Sequence, residues 1–193
     1  VMYMNAKQIA GAIRVREDFI KRFPKSKYTA DITLFLGDNY RKITDFKRAI
    51  QYYELLSTKH PKHNGATDAL YNASLFRQNL GDWERAIEGF RKYIQRAKDR
   101  SDTHQILFNI AGIYERYGKP AKAQKVYKEY IKTYKTKYPD NYLEAQAKLA
   151  TMEYEAGNKK KARKMYAEIL RTYNRLKANK QKKVGAVGIG AAA

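Results

Sequence analysis

The segment Gly81-Asp82-Trp83-Glu84-Arg85-Ala86-Ile87-Glu88-Gly89-Phe90 decides the fold. Gly81 supplies the left-handed turn that ends one helix, Asp82 caps the next, and Ala86, Phe90 and Tyr93 fall at helical spacing. Working outward, the same arrangement recurs. Ala12, Ala49, Ala86 and Ala123 stand 37 residues apart, and Ala162 follows after 39. Four residues on come Tyr53, Phe90, Tyr127 and Tyr166; seven on come Phe19, Leu56, Tyr93, Tyr130 and Ile169. Offsets of 0, 4 and 7 mark one helix face. Twelve residues before each Ala from the second onward lies a small residue, Gly37, Ser74, Ala111 or Ala150, preceded by Leu36, Ala73, Ile110 or Leu149. That is a second helix, whose small residue admits a close partner.

Turn signals separate the two. Gly81-Asp82, Gly118-Lys119-Pro120 and Gly157-Asn158 pair a positive-φ residue with a cap or a first-turn proline. Thr44-Asp45 does the same with caps alone, and Pro24, Pro61 and Pro139 punctuate the links. The reading is all-α, with helices at about 4–22, 28–42, 45–59, 66–79, 82–97, 102–117, 120–136, 140–156 and 159–177.

The residues Leu36-Gly37, Tyr40, Ala49, Tyr53 and Pro61 resemble the tetratricopeptide repeat, as do Gly81 through Phe90 and the set Ile110-Ala111, Tyr114, Gly118, Ala123 and Tyr127. The likeness covers about residues 5–175 and departs by three extra residues per repeat and an aberrant last link. It implies a right-handed superhelical solenoid of antiparallel helix pairs with a period of about 37 residues. The expected array spans 1–178: a partial repeat at 1–27, then repeats at about 28–64, 65–101, 102–140 and 141–178. Residues 179–193 read as a Lys-rich then Gly/Ala-rich tail, or as a truncated next helix. The same frame starts Val1 inside a helix and supplies no capping element, so the expectation is an excerpt of a longer array. The links Phe23-Pro24-Lys25-Ser26-Lys27-Tyr28 and Lys59-His60-Pro61-Lys62-His63 resemble those of bacterial envelope tetratricopeptide proteins, the outer-membrane β-barrel-assembly lipoprotein among them. That likeness implies the bacterial cell envelope (periplasm); a cytoplasmic location is also compatible.

Composition narrows the function classes. The chain has 193 residues, 40 Lys+Arg against 19 Asp+Glu, a formal charge of +21 and no Cys. Disulfide scaffolds, thiolate metal sites and Cys nucleophiles are excluded. No apolar run reaches the ~18 residues of a membrane span. His60 and His63 lie beside a proline without a third ligand, His104 reads as a surface residue near a cap, and no carboxylate pair is placed for acid–base work. The expectation is no enzyme, no cofactor and no metal. The Trp and most Tyr read as core aromatics between helices.

What remains is surface. In the resembling family the first helix of each pair lines a concave groove. Its groove offsets here are Leu34, Phe35, Asp38 and Arg41; Tyr71, Asn72, Leu75 and Gln78; Phe108, Asn109, Gly112 and Glu115; and Ala147, Lys148, Thr151 and Tyr154. Asn72 and Asn109 share a register and can bind a peptide backbone. Leu34, Tyr71 and Phe108 form an apolar row suited to anchoring side chains. The basic residues of the family's carboxylate clamp are missing from these offsets, which disfavours a chaperone-tail receptor. A basic stripe, Lys122, Lys125, Lys128, Lys132, Lys135, Lys161 and Lys164, lies on the second helices, on the convex side. The expected function is a protein-interaction scaffold holding a protein or peptide in the groove. The alternative is an electrostatic adaptor for an anionic partner: acidic protein, membrane surface or, as the disfavoured case, nucleic acid.

Overall fold

The computed structural model describes the backbone of residues 6–190 and the side chains of 10–135 and 137–179. Among the described residues the chain is all-α. Its helices are α1 (Ala6–Arg22), α2 (Thr29–Lys42), α3 (Phe46–Lys59), α4 (Ala66–Asn79), α5 (Trp83–Arg96), α6 (Thr103–Arg116), α7 (Pro120–Tyr134), α8 (Pro139–Glu155) and α9 (Lys159–Gly190). No helix among them is long and apolar enough to cross a membrane. The chain forms two compact units, one through Thr103 and one from His104.

In the first unit α2 pairs with α3 and α4 with α5, and α3 also packs on α4. The repeat alanines Ala49 and Ala86 are fully buried, as are Leu36, Tyr53 and Leu56. In the second unit α7 packs on α8 and α8 on α9, around the buried Ala123, Tyr127, Tyr130, Ala145, Ala150 and Ala162. Short connections between packed neighbours make each pair an antiparallel hairpin.

Four helix-to-helix turns are built identically. Thr44, Gly81, Gly118 and Gly157 donate to Arg41, Gln78, Glu115 and Tyr154, and the next residue in each donates five back, to Tyr40, Arg77, Tyr114 and Glu153. This double bond is the Schellman closure of a helix, which needs a left-handed residue at its corner. The three glycines have φ of 79°, 64° and 84°. Thr44 holds φ 60° at the same corner, so the first turn is not made by caps alone. A β-branched residue is strained there. Thr44→Gly is therefore expected to raise stability by about 1 kcal/mol, read as a shift of the urea midpoint with unchanged slope.

Two helix ends differ from expectation. α7 stops at Tyr134, because Lys135 takes φ 45° and opens a 3-10 turn over Lys135–Lys137. Lys135 is thus off the α7 stripe. The last helix does not end near 177 but continues to Gly190. Leu176, Lys177, Ala178, Lys180, Gln181, Lys182 and Lys183 are good helix formers with no proline among them. Met4, Asn5 and residues 191–193 lie outside the described residues.

His104 also departs from its surface reading. It is buried, stacked on Tyr138 at 3.5 Å between ring centroids, with Nδ1 3.2 Å from the Tyr130 hydroxyl. Tyr130, enclosed with Tyr134 and Tyr138, has its phenol pushed up to about 12, chiefly by burial. The aromatics divide more than the sequence suggested. Tyr40, Tyr53, Tyr93, Tyr127 and Tyr130 are core, whereas Tyr28, Tyr117, Tyr154, Tyr166 and Tyr173 are exposed.

Candidate binding face

The first helix of each pair carries polar groups fastened to the core behind them. In the first unit the buried Tyr53 on α3 donates its hydroxyl to Asp38 of α2 at 2.7 Å, and Arg41 lies 3.8 Å from the same carboxylate. In the second unit Tyr127 of α7 donates to Glu115 of α6 at 3.2 Å, and Lys148 of α8 donates to it at 3.1 Å. Burial first, and then the facing carboxylate, raise both phenols above their ordinary range, so each hydroxyl stays a donor. Tyr166 and Thr151 share the equivalent bond at 2.9 Å.

These bonds follow a sequence rule that the motif reading missed. The residue four after the repeat Ala faces the one eleven before it. The pairs are Tyr53 with Asp38, Phe90 with Leu75, Tyr127 with Gly112, and Tyr166 with Thr151. In the first and last of these the hydroxyl meets a polar group, Asp38 or Thr151, and the position facing Phe90, which has no hydroxyl, is the apolar Leu75. Where Gly112 offers no side chain, the hydroxyl reaches one turn on, to Glu115. A polar atom inside a helix pair needs a partner, which is why the two positions change together.

The anticipated apolar row is less free than expected. Tyr71 is half-buried, its ring 5.9 Å from Phe90 and 5.5 Å from Tyr93. Phe108 lies 5.3 Å from Tyr127 and 5.5 Å from Tyr130. Leu34 is half-buried and packs against the core of the first unit. The two rings close their own helix pairs and Leu34 packs against Gly65 at the start of α4, so truncating any of the three costs stability as well as surface. Phe35, by contrast, is exposed with the Arg16 guanidinium 5.5 Å over its ring, and Arg41 is exposed. Asn72, Leu75, Gln78, Asn109 and Gly112 are half-buried, as is Ala147.

In the second unit the face opens into a cleft of about 450 Å³ lined by Glu115, Gly118, Pro120, Lys148, Thr151, Met152 and Glu155. It brings together Glu115, Lys148 and Thr151 from two first helices. Tyr154 is exposed on α8, with the Lys159 ammonium 5.8 Å over its ring.

The basic residues are placed as solvent-facing side chains. Lys122, Lys125, Lys128 and Lys132 are exposed along α7, with Lys122 5.6 Å over the Tyr114 ring. Lys161 donates to the buried Glu153 at 2.6 Å; that bond, then Asn158's, holds the Glu153 carboxyl below its ordinary range. Lys161 thus closes the α8–α9 turn as well as adding charge. Lys164 is exposed on α9.

Sequence reasoning missed one further group. Arg77 of α4, little exposed, grips Glu54 of α3 through Nε at 2.6 Å and Nη2 at 2.9 Å and also pairs with Asp82. It fastens one pair to the next. The 23-residue separation of Arg77 and Glu54 fits no single-helix spacing, which is why neither was singled out.

The tetratricopeptide-repeat family profile matches residues 36–63, 68–99 and 105–140. Among solved structures, MamA is 17% identical over 92% of this chain and 99% of its own, with a TM-score of 0.54. MamA 41-end from Desulfovibrio magneticus RS-1 is 12% identical over 87% of each chain, at 0.51. BtubC from P. vanneervenii is 17% identical over 89% of this chain and 75% of that one, at 0.50. No curated protein matches the sequence. At these identities the likeness concerns fold alone.

Proposed function

Since the chain belongs to the tetratricopeptide-repeat family, we propose that it is a non-enzymatic scaffold that holds a peptide or partner protein along its first-helix faces. The observation that carries this reading is the cleft on the second unit, where the Lys148–Glu115 pair and Thr151 converge. The Glu115 carboxylate and the Thr151 hydroxyl are fixed from behind, by Tyr127 and Tyr166, and Glu115 in turn holds the Lys148 ammonium. Groups held in place before binding lose little freedom on binding, which favours affinity. A cation and an acceptor side by side suit an extended backbone with one acidic side chain. In the first unit Phe35, Asp38 and Arg41 offer the corresponding apolar, acidic and basic groups, with Asn72 and Gln78 on α4. The remaining groove residues, Leu34, Tyr71, Leu75, Phe108 and Asn109, shape that face and hold its helices.

The test is a random 12-mer peptide display selected on the full chain, with affinities of the selected peptides measured on variants. Lys148→Ala should weaken them by about tenfold, and Thr151→Trp, which fills the cleft from an exposed position, should do the same. Selected peptides that bind both folded variants at parental affinity would overturn the reading.

The electrostatic alternative is favoured by one observation. Exposed lysines run along α7, and an open depression of about 630 Å³ is lined by Gly157, Asn158, Lys159, Lys160, Lys161 and Lys164. If an anionic surface is the partner, binding to heparin falls steeply between low and moderate salt, whereas cleft binding changes little.

A further inference from the structure

The open side of α9 carries a feature that neither reading uses. Four residues after the repeat Ala, Tyr53 is 0% exposed, Phe90 1% and Tyr127 1%, but Tyr166 is 41% exposed. Leu170 and Tyr173, one and two turns on, are 61% and 49% exposed. The 3.6-residue periodicity places Tyr166, Leu170 and Tyr173 on one narrow strip. Ala162, Met165, Ile169, Thr172 and Leu176 form the adjoining strip, which packs toward α8. α9 therefore keeps an exposed apolar strip beside the one it packs on α8, joined to α8 at the Tyr166–Thr151 bond and at the Pro139–Leu143 cleft.

Earlier second helices show what such a strip accommodates. Across α3, Tyr53 meets Phe76 of α4, with ring centroids 6.2 Å apart, and α7 packs on α8 in the same way. In both cases the occupant is a helix. The strip on α9 also runs into a cleft of about 660 Å³, walled by Pro139, Leu143, Tyr173 and Leu176 and rimmed by Lys177, large enough for a bulky apolar side chain.

Charge selects among possible helices. Between residues 159 and 179 there are eight Lys+Arg against one acid, Glu168. Lys159 and Arg163 precede the apolar residues on the strip and Lys177 follows them. A second copy of this chain would bring the same cations against themselves, whereas an acidic helix would neutralise them.

We propose that the Tyr166–Leu170–Tyr173 strip of α9 is a docking site for an amphipathic helix of a partner protein, apolar along one face and acidic at its flanks. The strip borders the α8 face at the Tyr166–Thr151 bond and lies apart from the α7 lysines. The probe is a fluorescein-labelled helical peptide of about 18 residues with Leu at i, i+3 and i+7 spacing and Glu beside them. Its scrambled isomer of equal charge and its Lys-for-Glu counterpart serve as controls, all titrated against the full chain. The acidic amphipathic peptide should bind at least about tenfold tighter than either control. Leu170→Glu and, independently, Tyr173→Arg should each abolish that preference, while Lys148→Ala, whose side chain pairs with Glu115 away from the strip, should leave it intact. Two results would overturn the proposal: equal binding of the scrambled isomer, which reduces the effect to charge, or parental binding by Leu170→Glu. Sedimentation of the chain alone supplies a third: a dimer dissolved by Leu170→Glu would make the second copy the occupant.

Discussion

Phe90→Ala is expected to lower the unfolding free energy by about 3–5 kcal/mol, whereas Tyr166→Ala at the same repeat position should cost about 1 kcal/mol or less. Phe90 is enclosed on α5 and touches the Tyr71 ring. Its removal deletes a buried ring and leaves a cavity between helices that cannot close on it, since Ala86 and Gly89 beside it are already minimal. Tyr166 projects into water for much of its surface and makes one hydroxyl bond to Thr151. The comparison holds residue class, helix face and repeat register nearly constant and varies the ring's burial. Urea titration followed by helical circular dichroism reads the total change. Trp83, the only tryptophan, sits on α5 and reports the first unit separately. In an array governed by neighbour contacts, the Phe90 change should separate the two signals, because only one unit is weakened. Equal costs at the two positions would mean that the Tyr166 ring is as enclosed as that of Phe90, and the reading of α9 as open-faced would lose its footing.

The fold was legible because its physics is periodic. Ala49, Ala86, Ala123 and Ala162 had to be small where helices cross, and all four are fully buried. The glycine corners were legible for the same reason, since few other residues tolerate φ near 60–80°. Thr44 was harder, because a β-branched residue argues against such a corner unless its 37-residue alignment with Gly81 is given priority. The candidate face was legible in placement and not in role. The frame put Tyr71 and Phe108 on the first helices, but a half-buried ring at a helix edge serves core and surface together, and only the neighbouring Phe90 and Tyr127 show which dominates. His104 was misjudged because the rings that bury it, Tyr130 and Tyr138, stand 26 and 34 residues away. Distant pairs such as Arg77 with Glu54 leave no spacing signal. The Tyr53–Asp38 and Tyr166–Thr151 bonds did leave one, a fixed separation of 15 residues.

Gly37→Val should cost about 3 kcal/mol, against the ~1 kcal/mol that replacing a mid-helix glycine can gain from propensity. The two effects oppose, and geometry decides the sign. A Cβ on Gly37 would stand 2.7 Å from both Cδ1 and Cε1 of Tyr53, well inside contact distance. Flexible groups could swing away, but this ring cannot. It is fully buried, its hydroxyl is bonded to Asp38 one residue along from Gly37, and Phe76 of the next helix pair lies against it. Relief must come from separating α2 and α3, which would also loosen Ala49 and Leu36. The 37-residue equivalents show why the demand is local. Ser74 occupies this register in the next pair, where the close approach falls on Gly89 of α5 instead, since a Cβ there would collide with the Ser74 hydroxyl. A second change supplies the control: Tyr53→Leu in the Gly37→Val background should recover part of the loss, giving a coupling of about 1 kcal/mol or more between the two sites. Additive costs would place the Gly37 effect in the helix backbone, and a stabilising Gly37→Val would show that α2 and α3 do not approach as closely as the ring contact requires. The same close approach aims the Tyr53 hydroxyl at Asp38, so Gly37→Val should also displace the carboxylate that the first unit presents beside Arg41. Its effect on selected peptides should then track its effect on stability, which a purely structural glycine remote from the face would not produce.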